Sequence, residues 1–89
     1  MEYMFPEYRA VPTCDAIMSE YQKVAEEAIE AMDAWAADED IETCAMELFD
    51  VIHACETCLR MLDRKFPELD LDVASAKVIE KNLHRGYYG

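Results

Sequence analysis

The chain has 89 residues, 53% of them apolar, and a formal net charge of −12. A chain of this length forms one small domain that buries only about 60–65% of the surface its unfolded form exposes, so a high apolar fraction points to a core completed by oligomerisation. The charge excludes a general binder of nucleic-acid polymers and argues against anionic membranes, because both need a basic surface.

With only two Gly and three Pro among many Ala, Glu, Met and Leu, the composition is that of an all-α protein. The charge is uneven. Residues 1–59 hold two bases, Arg9 and Lys23, against fifteen acids, whereas residues 60–89 hold six bases against five acids. Such a distribution suits a multivalent cation beside a phosphorylated ligand; a solvated acidic surface is the plainer alternative. Met1-Glu2-Tyr3 lacks the basic start of a signal peptide, and no apolar run approaches the ~18 residues of a membrane span. Cys44, Cys55 and Cys58 fall in a helical pattern and read as reduced thiols, so the expected location is cytoplasmic.

In chain order, residues 1–12 form an irregular arm, with Pro6, Pro12 and the aromatics Tyr3, Phe5 and Tyr8, expected to pack on the body or on a neighbouring subunit. A single helical domain follows over 13–89. Thr13 is the N-cap of a first helix whose apolar stripe is Ile17, Tyr21, Val24, Ala28, Met32 and Trp35. Asp38-Glu39-Asp40 interrupts it and supplies the next cap. A second stripe, Ile41, Cys44, Leu48, Val51, Ile52, Cys55, Leu59 and Leu62, ends near Phe66-Pro67. Asp70 caps a third helix through Val73, Ala76, Ile79 and Leu83, stopped by Gly86. The short link between the first two helices makes them antiparallel. The fold expected is a helical hairpin plus a third helix, completed as a four-helix bundle by a homodimer or a dimer of dimers.

Two acidic sets stand out: Glu26-Glu27-x-x-Glu30 and Glu47-x-x-Asp50. Helix residues three apart lie one turn up and about 60° around, so both can reach one ion. Relative to the apolar stripe, Glu27 and Glu30 sit at roughly 90° and 150°, and Glu47 and Asp50 at roughly 80° and 140° in the same rotational sense. The midpoints of the two pairs are each ten positions from a pivot at Asp38–Glu39. Folding about that pivot sets Glu30 level with Glu47 and Glu27 level with Asp50, on one side of the hairpin. Four carboxylates so placed repel one another until a hard divalent cation relieves them, and Mg²⁺ prefers such oxygen donors while keeping waters that a phosphate can displace.

This pattern, E-E-x-x-E followed after sixteen residues by E-x-x-D, resembles the MazG-like all-α nucleoside triphosphate pyrophosphohydrolases. The C-terminal run Lys81-Asn82-Leu83-His84-Arg85-Gly86-Tyr87-Tyr88 is similar to the ending of small members of that superfamily. The resemblance covers roughly residues 20–88 and implies hydrolysis of an NTP or dNTP between the α and β phosphates. It implies Mg²⁺, with Mn²⁺ as an alternative, held by Glu27, Glu30, Glu47 and Asp50, with Glu27 or Glu30 as the base and Glu26 farther out. Lys77, Lys81 and Arg85 recur at steps of four along the third helix, with Asn82 beside them. They are the expected substrate contacts, and a cationic helix end favoured by the helix dipole is the equal alternative.

Other features carry less. Cys55-x-x-Cys58 is mid-helix with no matching second ligand pair, unlike a zinc turn or a redox helix start. His53 lies three residues after Asp50, within reach of a metal's outer shell or simply partly exposed. Trp35, Phe49, Tyr87 and Tyr88 read first as packing residues. Two rival functions remain: an acidic helical module that binds a basic protein without Mg²⁺, and a di-iron carboxylate bundle, for which the required Glu-x-x-His pairs are missing.

Overall fold

A threonine hydroxyl starts the first helix. Thr13 has extended backbone, and its Oγ1 accepts the Ala16 N–H at 3.1 Å, satisfying one of the donors that a helix start leaves free. In the computed structural model, which describes residues 1–9 and 12–89, α1 then runs Cys14–Ala36. It ends in a Schellman closure: the Asp38 N–H donates to Trp35 O and the Glu39 N–H to Ala34 O, both at 3.1 Å. Asp38 takes the left-handed position of that motif at φ 58°, which Asp tolerates better than most side chains.

The next helix, α2 (Ile41–Lys65), begins two residues later. The Asp40 carboxylate accepts the Thr43 N–H at 2.9 Å and its hydroxyl at 2.7 Å, and these bonds hold Asp40 below its ordinary pKa. Phe66 closes α2. The Asp70 carboxylate accepts the N–H groups of Asp72 and Val73 to start α3 (Leu71–His84). α3 ends as α1 does, with Gly86 at φ 77° and the Tyr87 N–H on Asn82 O. The caps at Thr13 and Asp70 and the stops at Phe66 and Gly86 stand where the sequence puts them. The fold is all-helical, with no strand among the described residues.

Four residues, 37–40, separate α1 from α2 and turn the chain straight back, so these helices lie antiparallel in the one extensive helix–helix contact. Their seam is lined mainly by small side chains. Ile17, Ala31 and Ala34 from α1 are buried there, with Cys44, Ala54, Cys58 and Met61 from α2. Of the expected stripes Ile17 and Cys44 face it, whereas other members turn outward: Met32 is 64% exposed, Trp35 71%, Ile41 75% and Leu48 60%. Alanines at the seam let the backbones approach, and the bulky residues are displaced to its rim. α3 buries only Leu71, while Val73, Ile79 and Leu83 remain exposed.

The other flank of α2 is covered by the arm. Glu56, almost fully buried, accepts the N–H groups of Met4 and Phe5, each at 2.8 Å. One turn on, Arg60 Nη2 donates to Phe5 O at 2.7 Å, and its guanidinium lies 4.1 Å from the Tyr3 ring centroid. Arg64, a further turn along, pairs with Glu7. A carboxylate for two amides and a guanidinium for the carbonyl satisfy a bent, irregular backbone that belongs to no helix. The arm therefore packs on the body, as one of the two expectations had it; Ala10 and Val11 lie outside the described residues.

The single chain leaves much surface open. Its accessible area is 6760 Å², against about 5,350 Å² for a folded monomer of this mass. Its radius of gyration is 15.0 Å, against about 12 Å for a compact domain of this length. Among the described residues no helix is long and apolar enough to cross a membrane.

Candidate carboxylate site

Glu27 and Glu30 lie one turn apart on α1, and Glu47 faces them from α2. One carboxylate oxygen from each lies within 4.8 Å of the others, and this trio is the one such group of potential metal ligands among the described residues. Asp50 stands outside the trio. It bears on Glu27 electrostatically and shares with it a pocket of about 40 Å³ lined also by Tyr8, Lys23, His53 and Ala54. Glu26 is exposed on the outer side.

The electrostatics are those of crowded negative charge. Loss of hydration first, then the charge and hydrogen bond of Glu30 and the charge of Asp50, raise the Glu27 pKa above its ordinary value; Lys23 pulls it back. Glu47 Oε2 is enclosed and has no hydrogen-bond partner among the described residues. An enclosed carboxylate oxygen without a donor is costly. Three convergent hard oxygen donors, one of them orphaned, fit a small divalent cation, and Glu27, Glu30 and Glu47 would hold it with Asp50 beside them.

The raised Glu27 pKa fixes a sign. The folded state binds that proton more tightly than the unfolded state, so stability falls as pH rises from the ordinary value of 4.5 through the raised one. Without divalent cations, Glu27→Gln should therefore melt higher than wild type at about pH 7 and lose that advantage toward about pH 4. Melting curves of both proteins across this range in a chelator check it; parallel pH profiles would refute it.

No family model, no curated protein and no solved structure matches this chain.

The expected substrate residues are elsewhere. Lys77, Lys81 and Arg85 are exposed along α3, and the Asn82 amide donates to the Tyr88 hydroxyl at 3.4 Å. None of the four lines the pocket beside Glu27 and Asp50. Within one chain α3 does not pack extensively on the hairpin that carries the carboxylates. Cys55 and Cys58 lie mid-α2, where burial pushes both thiols up; they are poorly disposed to serve as thiolate ligands or nucleophiles.

Several residues at the site had drawn little notice in the sequence. His53 is sandwiched between Phe5, at a ring-centroid distance of 4.8 Å, and Tyr8, at 4.5 Å, both nearly parallel to it. Its Nε2 is enclosed and unpaired among the described residues. Lys23 lies 5.5 Å above the outer Tyr8 ring. One signal for Lys23 was available: it is the single base between residues 14 and 59, one helical turn before Glu27. The attachment of the arm to α2 also had a signal, since Glu56, Arg60 and Arg64 recur at steps of four.

Proposed function

We propose that this protein is a Mg²⁺-dependent nucleoside triphosphate pyrophosphohydrolase, converting an NTP or dNTP and water to NMP and pyrophosphate. The observation that carries this reading is the convergence of Glu27, Glu30 and Glu47, from two helices, within 4.8 Å. The resemblance of E-E-x-x-E and E-x-x-D to the MazG-like superfamily supplies the reaction class.

A divalent ion there would offset negative charge on phosphate oxygens and polarise the phosphoryl centre. The resemblance leaves the base between Glu27 and Glu30, one turn apart on α1 and both in the trio; a carboxylate there would orient or deprotonate the attacking water. Asp50 and Glu47 approach from α2, so the hairpin itself sets the spacing of the site.

The working unit in this proposal is a homodimer. The monomer exposes about 1,400 Å² more than its mass calls for. An obligate dimer hides an area of that order per chain. The apolar rim of the seam offers the surface: a groove of about 420 Å³ lined by Met32, Trp35, Leu48 and Val51 among others. A second copy seated there would pair two hairpins into a four-helix bundle. In this proposal Lys81, Asn82 and Arg85, which do not line the pocket beside Glu27 in their own chain, serve the site of the other.

The test is a panel of NTPs and dNTPs with Mg²⁺, in which NMP plus pyrophosphate is resolved from NDP plus phosphate. Release of NDP refutes the proposed cleavage position. Lack of turnover with any triphosphate, together with no stabilisation by Mg²⁺, refutes the enzyme and favours the acidic interaction module.

A further inference from the structure

The cation nearest the carboxylates is one the α3 stripe does not contain. Lys23 sits on α1 one turn before Glu27 and lines the same small pocket as Glu27, Asp50 and His53. Among the described residues it makes no ion pair, although the surrounding body is strongly acidic. Its ammonium lies 5.5 Å above the centroid of the Tyr8 ring. Tyr8 in turn is stacked on His53, and His53 on Phe5, whose backbone is clamped by Glu56 and Arg60. A buried carboxylate therefore fixes, through three aromatic rings, the support on which a single ammonium rests at the edge of the site.

We propose that Lys23 binds the phosphate chain of the substrate at this site and that Tyr8 is the residue that positions it. The assignment rests on the nucleotide-hydrolase reading above and deepens it. Transfer of a phosphoryl group between oxygens is promoted by positive charge fixed where negative charge gathers, and a flexible lysine supplies it only if held. A ring face holds an ammonium without neutralising it, whereas a carboxylate partner would cancel the charge a phosphate needs. The pocket of about 40 Å³ is too small for a base but has room for a water or a single phosphate oxygen. The ligand part met here is thus the polyphosphate, and the nucleoside lies outside.

Inorganic pyrophosphate with Mg²⁺ is the probe, titrated calorimetrically into the full chain, alongside steady-state hydrolysis of the best triphosphate from the panel. Lys23→Met should weaken pyrophosphate binding and raise KM by about ten- to a hundredfold. Mg²⁺ binding measured alone should not weaken, since Lys23 is no ligand. Lys23→Arg should recover most of the affinity. Tyr8→Phe, which keeps the ring face, should behave as wild type, and Tyr8→Ala should raise KM with a smaller change in kcat. Lys23 is exposed, so circular dichroism should show an unchanged fold. Wild-type protein that binds Mg²⁺ and pyrophosphate, with Lys23→Met binding them equally well, overturns the assignment and leaves the enzyme reading standing. Wild-type protein that binds neither overturns the enzyme reading and this assignment with it.

Discussion

Glu47→Gln should abolish turnover while leaving the metal-free fold at least as stable as wild type. Glu47 is the carboxylate that α2 contributes to the trio, and its Oε2 is enclosed without a donor. Replacing it by an amide removes one negative charge from a group of three, and the amide N–H can donate to a neighbouring carboxylate. The repulsion that Glu47 adds to the three converging carboxylates is thereby eased in the absence of metal. With metal the effect reverses. Loss of partners that merely orient ligands costs about 10–100-fold in affinity or activity, so loss of a ligand should cost at least about 100-fold in kcat/KM. Mg²⁺ should raise the melting temperature of wild type and fail to raise that of the variant. Opposite signs in stability and activity are the signature of charge held in place for function, which a solvated acidic surface does not produce. A variant that hydrolyses triphosphate like wild type, or melts well below it in chelator, removes Glu47 from the site.

The parts of this structure that were legible in sequence are those governed by local chemistry. Thr13, Asp40 and Asp70 announce helix starts because their side chains must answer free N–H groups within three residues, and Gly86 announces a stop because its φ 77° suits glycine. The pairing of Glu27 and Glu30 with Glu47 was legible because a four-residue turn makes the register of a hairpin a matter of counting. Asp50 fits that counting less closely, standing near Glu27 but outside the trio. What periodicity could not decide was which neighbour each apolar stripe faces. Tyr21, Met32 and Trp35 form a regular stripe, yet Ala31 and Ala34, one step around the helix, meet α2 in this chain. Both sets have helical spacing, and only the choice between a close alanine contact and a bulky one separates them. The arm was hidden for a different reason. Backbone N–H groups carry no side-chain signature, so the union of Glu56 with Met4 and Phe5, more than fifty residues away, left only the spacing of Glu56, Arg60 and Arg64 to read.

The rotation of those stripes leads to the prediction with the widest reach, that the protein folds as a dimer and has no stable monomer. No large side chain among the described residues is fully buried, while Ile41, Leu48, Met32 and Trp35 are all more exposed than covered. A thin seam and a half-attached α3 offset little of the conformational entropy of ordering about ninety residues. At micromolar concentration the protein should sediment at twice its 10.3 kDa chain mass, and its melting temperature should rise with protein concentration. Trp35, 71% exposed in the single chain and lining the groove with Leu48, is the natural anchor. Buried aromatic anchors of this kind carry about 2–4 kcal/mol, so Trp35→Ala should weaken association by roughly thirty- to a thousandfold. Leu48→Glu should do more, since it would place a charge in the apolar groove. As the sole tryptophan, Trp35 also reports the event directly: its emission should lie to the blue in concentrated protein and move to the red on dilution, in step with loss of helical circular dichroism. A monomer that keeps its helices at every dilution, with red-shifted emission throughout, would mean that the exposed stripe has no partner and that the hairpin is stable by means this structure does not contain.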